Sequence, residues 1–364
     1  MNLPVPRPGI EDIAPYVGGE SKIAGVERVI KLASNESALG PSPLAVAALV
    51  KAAADSHRYP DGSCKALREA LADRHGLDPA RIVCGAGSDE LITLLCRAYA
   101  GPGDEVLYTE HGFLMYSIAA RTVGATPVKA PETHLTADVD VLLAKVSDNT
   151  RMVFLANPNN PTGSYIPESE MIRLRAGLPE NVVLVIDAAY AEYMSPTLND
   201  YGPGTRLVEA GENVVMTRTF SKIFALGGLR LGWAYCPAAI ADILNRVRNP
   251  FNVASAAQLA GIAALSDAPL VERARLHNDK WRAWTTKQLR GLGLEVPQSF
   301  GNFVLVRFAA EPDRNAAAAD AFLKARGIIA RGMAAYGLPE SLRITIGLED
   351  EMRAVVAALA EFKG

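Results

Sequence analysis

Lys222 lies in Thr219-Phe220-Ser221-Lys222, directly after the apolar run 214–217, and Arg230 follows beyond a Gly227-Gly228 pair. A lone lysine is ordinarily a solvated surface group. Here hydroxyls, an amine and a guanidinium crowd one strand end, which suits a phosphate-bearing ligand beside a nucleophilic amine. The acyl-serine S-x-x-K arrangement is a poor rival, because position 219 is Thr, Ser147-Asp148-Asn149 precedes the lysine and no K-T-G follows. Asp187 ends a second apolar run, 182–186, with Tyr190 just beyond. A carboxylate there is costly to desolvate unless a cation or several donors meet it, so a positively charged ligand group and a helix cap are both open readings.

Two further stretches fit a ligand site. Gly85-Ala86-Gly87-Ser88 stands between the run 82–84 and a helical pattern through Leu91, Ile92, Leu94 and Leu95. Glycines let backbone approach an anion, and the unpaired N–H groups of a helix start point at it. A plain strand-to-helix turn explains the same glycines. It is no dinucleotide fingerprint, since Glu90 stands where G-x-G-x-x-G needs its last glycine, and Asp89 with Glu90 would require a cation nearby to offset them. Asn157-Pro158-Asn159-Asn160-Pro161-Thr162-Gly163 follows the run 152–156. An Asn held there can donate to a ligand oxygen, and turn chemistry accounts for the composition equally well.

The elements that must position these residues read as an α/β fold. Short Val/Ile/Leu-rich runs at 82–84, 105–108, 152–156, 182–187, 214–217 and 231–236 alternate with amphipathic stretches, the pattern of a mainly parallel sheet covered by helices on both faces. The chain's 364 residues are too many for one ordinary core, which suggests a large domain and a smaller one around a shared cleft. The Pro- and Gly-rich start and the helical last 100 residues, with strands expected at 303–308 and 342–346, are taken together as the smaller α+β domain. The expected division is 1–45 for an N-terminal flap and part of the small domain, 46–265 for the large domain and 266–364 for the small one. A long helical stretch after Pro237, running past Asn249-Pro250 toward Trp281 and Leu289, would lead into it.

Composition narrows the functions. Hydrophobic residues at 49% and charged residues at 21% exclude long disorder, and a net charge of -3 without a basic block argues against nucleic acid as a partner. No run approaches the roughly 20 apolar residues of a membrane span, so a soluble, cytoplasmic chain is expected, with no membrane partner. Cys64, Cys84, Cys96 and Cys236 show no C-x-x-C or zinc spacing, and the five histidines form no H-E-x-x-H pair, so no metal is expected and the thiols read as reduced and mostly buried.

In order, the glycine turn, N-P-T-G at 160–163, Asp187 with Tyr190, and Ser221-Lys222 with Arg230 resemble the fold-type-I, class-II-like pyridoxal-phosphate aminotransferases across most of the chain. Each motif alone is weak; four in the expected order are specific. Tyr59-Pro60-Asp61-Gly62, Leu39-Gly40-Pro41-Ser42-Pro43 and Tyr336-Gly337-Leu338-Pro339 before Leu342-Arg343-Ile344-Thr345 are most similar to the branch acting on histidinol phosphate. One departure is Ser34-Asn35-Glu36-Ser37-Ala38, where the family often reads N-E-N-P, so the loop at the entrance is expected to differ in shape.

The resemblance implies a large domain with a mainly parallel sheet, pyridoxal 5'-phosphate as cofactor, and Lys222, Asp187 and Tyr190 as catalytic residues. Lys222 would hold the cofactor's aldehyde and act as the proton-moving base; Asp187 would face the ring nitrogen; Tyr190 and Asn160 would bond its phenolic oxygen. Ala86, Gly87, Ser88, Thr219, Ser221 and Arg230 would hold the phosphate, with Arg230 offsetting Asp89 and Glu90. Phe113 would stack on the ring, with Tyr116 close enough to leave that choice open. Tyr59 would reach the neighbouring subunit's phosphate, implying a homodimer with shared active sites. Tyr16, Asn160, Arg331 and Arg343 would bind substrate, Tyr16 from a closing flap and the arginines through anion pairing. The implied reaction is a ping-pong exchange of L-histidinol phosphate and 2-oxoglutarate for imidazole acetol phosphate and glutamate, in histidine biosynthesis. Aromatic amino-acid transamination and threonine-phosphate decarboxylation are the alternatives on the same fold.

Overall fold

The computed structural model describes residues 4–26 and 28–364. A seven-stranded sheet is built from Ile82–Gly85, Glu105–Thr109, Thr126–Ala130, Thr150–Ala156, Val183–Asp187, Val214–Thr219 and Gly232–Tyr235. Gly232–Tyr235 runs antiparallel to both its neighbours, and the remaining neighbouring pairs are parallel. Successive side chains of a strand point to opposite faces, and the packing follows that alternation. Leu184 and Ile186 enter one apolar cluster while Val183 and Val185 enter another. A sheet covered on both faces needs apolar residues at every position, which is why these strands read as unbroken runs.

Thr126–Ala130 is a strand that the apolar runs do not reveal. It is one of the two edge strands, with only Ala130 fully buried, and it carries Pro127, which suits an edge but breaks the apolar signature. The helical stretch after Pro237 is three helices, Ala238–Val247, Ser255–Ser266 and Ala268–Gly291, rather than one. Pro250 cannot continue the first, and Asp267 caps the third by accepting from Leu270 N–H at 3.2 Å. Ala268–Gly291 packs Ala274 into the core of the large sheet and Trp281 and Leu289 into a separate one, so a single helix of about 36 Å joins the two.

The second core covers a three-stranded antiparallel sheet, ordered Arg331–Met333, Leu338–Thr345, Phe303–Arg307. Beside it Ile30–Lys31 pairs in parallel with Ile328–Ile329, tying the N-terminal segment to the C-terminal region. Strand register places the polar residues that the sequence singles out. Asp187 lies opposite Ala156 on one side and Thr217 on the other, at the carboxyl ends of parallel strands. Arg331 lies opposite Arg343 on adjacent strands of the small sheet.

Candidate active site

The carboxyl ends of the large sheet, the small sheet and the N-terminal segment enclose a cleft of about 300 Å³. Crevices at strand ends are where α/β sheets place ligands. Asp187, Tyr190, Lys222, Thr219, Ser221 and Arg230 line it from the large sheet. Ser88, Phe113, Tyr116 and Asn160 join them from the neighbouring loops and helix starts, and Tyr16, Arg331 and Arg343 close the other side.

Asp187 is buried at 5% exposure. Its Oδ2 accepts from the Tyr116 hydroxyl at 2.7 Å and its Oδ1 from Thr217 Oγ1 at 3.3 Å. Burial lifts its carboxyl to about 6, against the opposing pull of the Tyr116 hydroxyl. Among the described residues no Lys, Arg or His forms an ion pair with it. Removing a carboxylate from water costs several kcal/mol unless a cation compensates, so the site fits a cationic ligand group at Asp187.

The amine side is complementary. Lys222 Nζ donates to the Ser34 carbonyl at 3.4 Å and sits 5.7 Å from the Tyr190 ring centre. Burial, with the Arg343 cation adding to it, lowers Lys222 to about 8. A lysine there is deprotonated over a far larger fraction of the neutral range than a solvated one, as a nucleophile or proton carrier requires. The Tyr190 hydroxyl is pushed up to about 12 by burial and so remains a donor.

Arg230 donates to the Gly227 carbonyl at 2.8 Å and Ser221 Oγ at 3.3 Å, and pairs with Asp89 at 3.1 Å. Its guanidinium passes over Gly87, where an added Cβ would lie 2.5 Å from Nη2, and the Gly87 φ of 87° is one that favours glycine. Glu90 is not answered by Arg230. It turns back, and its Oε2 accepts from Ala86 N–H and Asn252 Nδ2, both at 2.6 Å. The expected anion cradle is corrected accordingly: the Ala86 N–H is committed to Glu90 and that of Gly87 to the Gly85 carbonyl at 2.8 Å. Ser88 and Asp89, the first residues of the helix Ser88–Tyr99, line the cleft, where the helix leaves its first N–H groups unpaired.

Arg343 is 6% exposed and donates to the Ala33 carbonyl at 2.9 Å and to Asn160 Oδ1. Its Nε has no partner among the described residues, and both acceptors are neutral. Burial lowers its affinity for the proton, the mark of a cation without a counter-ion. Arg331 instead donates to the Val17 and Gly18 carbonyls, each at 2.6 Å, and so fastens the segment that carries Tyr16, itself half exposed. Tyr59 lies outside the cleft, 83% exposed and stacked 4.8 Å from Phe251.

Phe113 and Tyr116 have distinct surroundings. The Tyr116 ring lies flat against Phe154 at 4.5 Å and its hydroxyl is taken by Asp187, whereas Phe113 caps the start of Leu114–Thr122 with its side chain partly open to the cleft. The donors Tyr116 and Thr217 to Asp187, and Asn35 Nδ2 to the Tyr190 hydroxyl at 2.8 Å, were not assigned these contacts from the sequence. Only the Thr217 contact had a signal, as the position opposite Asp187 on the next expected strand.

Comparisons with known proteins give the family. The family model for aminotransferase class I and II matches residues 27–359. The histidinol-phosphate aminotransferase of Paramagnetospirillum magneticum is 61% identical over 364 residues, covering 100% of both chains. That of Rhodospirillum rubrum is 61% identical over 99% of this chain and 97% of its own. Among solved structures, histidinol-phosphate aminotransferase from Sinorhizobium meliloti in complex with pyridoxal-5'-phosphate superposes with a TM-score of 0.88 at 30% identity, over 100% of this chain and 98% of that one. The chain belongs to the class I and II aminotransferase family, and both of these full-length relatives are histidinol-phosphate aminotransferases.

Proposed function

We propose that the chain is a pyridoxal-phosphate enzyme of histidine biosynthesis that transfers the amino group of L-histidinol phosphate to 2-oxoglutarate, giving imidazole acetol phosphate and glutamate. The observation that carries this reading is the charge pattern of one cleft: Asp187, a buried carboxylate with no ion-pair partner among the described residues, shares it with an amine and two guanidiniums, Lys222, Arg230 and Arg343. A zwitterionic, phosphorylated ring compound and an anionic substrate complement it. When bound, pyridoxal phosphate supplies an aldehyde that takes up the amino group and a ring that draws electrons from the substrate carbon.

Asp187 keeps the ring nitrogen protonated, and the hydroxyls of Tyr116 and Thr217 hold its two oxygens in place. Lys222 would hold the aldehyde, and its neutral amine, when free, would serve as the base at the substrate carbon. Tyr190 donates to the phenolic oxygen. Asn160 joins it, because its Oδ1 is taken by Arg343 and its Nδ2 is left to donate. Ser88, Thr219, Ser221 and Arg230 hold the phosphate, with Arg230 also neutralising Asp89. Phe113 covers the ring, since the Tyr116 ring is spent on Phe154.

Arg343 grips the phosphate of one substrate and a carboxylate of the other in turn, while Arg331 and Tyr16 close the entrance. The division 1–45, 46–265 and 266–364 goes with this reading, and the pairing of Ile30–Lys31 with Ile328–Ile329 supports joining the first part to the last. The enzyme works in the cytoplasm as a homodimer, its Tyr59 reaching the partner's phosphate. Two exposed aromatic rings, Tyr59 and Phe251, stacked on one another support a covered surface there.

The test is a parallel assay of histidinol phosphate, phenylalanine, tyrosine and threonine phosphate with 2-oxoglutarate. Histidinol phosphate should exceed the others in kcat/KM by about 100-fold or more, as expected where buried cations would otherwise stay unpaired. An aromatic amino acid equalling it would overturn the substrate assignment.

A further inference from the structure

Asn35 belongs to the N-terminal segment yet touches the centre of the cleft. It is 1% exposed, with φ 53°, a left-handed backbone that Asn and Gly tolerate. Three bonds lock it. Its N–H donates to Thr345 Oγ1 at 2.9 Å, its carbonyl accepts from Asn302 Nδ2 at 3.0 Å, and its Oδ1 accepts from Thr345 Oγ1 at 3.2 Å. The Thr345 pair decides which way the amide faces. A flipped amide would set two N–H donors against Thr345 Oγ1 and strand the hydroxyl proton without an acceptor among the described residues. Nδ2 is therefore the atom 2.8 Å from the Tyr190 hydroxyl oxygen, and that oxygen is the acceptor.

A hydroxyl that accepts from one side has its own proton free to donate elsewhere. The Tyr190 ring is held edge-on against Phe303 at 5.5 Å, so the open direction is the cleft. We propose that Asn35 is a positioning residue that aims the Tyr190 hydroxyl proton into the cleft, toward the anionic oxygen of the ligand joined to Lys222. The inference rests on the proposed function, with pyridoxal phosphate at Lys222. Its consequence is electrostatic. A correctly aimed donor stabilises the anionic oxygen and lowers the pH at which the cofactor–lysine linkage loses its proton. The charged and titratable groups facing Tyr190 are Arg343 from the small sheet, Asp187 from its own strand end, Lys222 from the opposite loop, and the hydroxyls of Tyr116, Tyr193 and Tyr336. A substitution at position 35 removes none of these side chains.

The experiment is a pH titration of the visible absorbance of the holoenzyme for the wild type, Asn35→Gly, Asn35→Asp, Tyr190→Phe and the Asn35→Gly/Tyr190→Phe pair. Glycine keeps the left-handed backbone without strain. Asn35→Gly should raise the midpoint by about 0.5 pH unit and Asn35→Asp by about 1, because a carboxylate accepts the Tyr190 proton and turns it away from the cleft. Tyr190→Phe should also raise the midpoint, and adding Asn35→Gly to it should change nothing further. An unshifted midpoint in Asn35→Gly, or a shift of the same size with and without the Tyr190 hydroxyl, overturns the proposal. A wild-type holoenzyme whose visible band does not titrate and resists borohydride would instead sink the placement of the cofactor on Lys222.

Discussion

The floor of the cleft and its far wall are built on different principles. The floor comes from parallel strand ends, where Asp187 and the Thr217 hydroxyl are fixed by a ladder whose apolar residues pack on both faces, and Lys222 sits in the loop just beyond the strand that carries Thr217. The wall comes from Arg331 and Arg343 on a three-stranded sheet and from an N-terminal segment that they hold by its carbonyls. The floor carries pre-set electrostatics, with one carboxyl raised and one amine lowered by burial. The wall carries cations bonded to neutral backbone, which an incoming anion can take over without breaking an ion pair. The difference separates chemistry from capture: changes in the floor should reach kcat, and changes in the wall should reach KM.

Lys222→Ala should give the largest effect, lowering multiple turnover by roughly 10⁴-fold or more, because both the covalent anchor and the base are lost. Retained steady-state turnover would break the comparison at once. Asp187→Asn keeps the shape but not the charge, and should lower kcat by roughly 10²- to 10³-fold with a far smaller change in KM. Next comes the wall. Arg343→Lys should raise KM for both anionic substrates by about 10- to 100-fold, the equivalent of about 1.5–3 kcal/mol, with the bound cofactor's spectrum unchanged. Loss of cofactor in that variant would move Arg343 to the floor.

A pH dependence sharpens the same contrast. In cofactor-free protein Lys222 sits at about 8, below an ordinary lysine at 10.5, and only its neutral form attacks an aldehyde. The rate of pyridoxal phosphate capture should therefore rise about tenfold per pH unit up to about 8 and level off above it. A rate that keeps rising past pH 10 would show an unperturbed amine. The smallest effect belongs to Arg331→Ala, which frees the Val17 and Gly18 carbonyls at a half-exposed position. It should raise KM about two- to fivefold and speed proteolysis within residues 4–26.

Asp187 and Lys222 were legible in the sequence because each stands at or just beyond the end of an apolar run, and the two-sided packing of the large sheet makes those runs continuous. Order along the chain then specified the parallel strands and the loops between them. What the sequence did not reveal was pairing between distant side chains. Glu90 beside the glycine turn looked like a charge awaiting a cation, and it is spent on the Ala86 N–H and Asn252. Tyr116 is close in sequence to Phe113, but only the fold shows its hydroxyl on Asp187 and its ring on Phe154. The edge strand Thr126–Ala130 was hidden by the exposure and the proline that edges favour. Asn35 stood inside a recognisable motif, yet its link to Tyr190 depends on Thr345 and Asn302, more than 250 residues away.

The central claim is that the Lys222 amine carries the cofactor. Borohydride reduction of the pyridoxal-phosphate-loaded protein, followed by peptide mass mapping, tests it without reference to substrate. The reduced cofactor should appear on the peptide containing Lys222. A label on another lysine, or none, would contradict it.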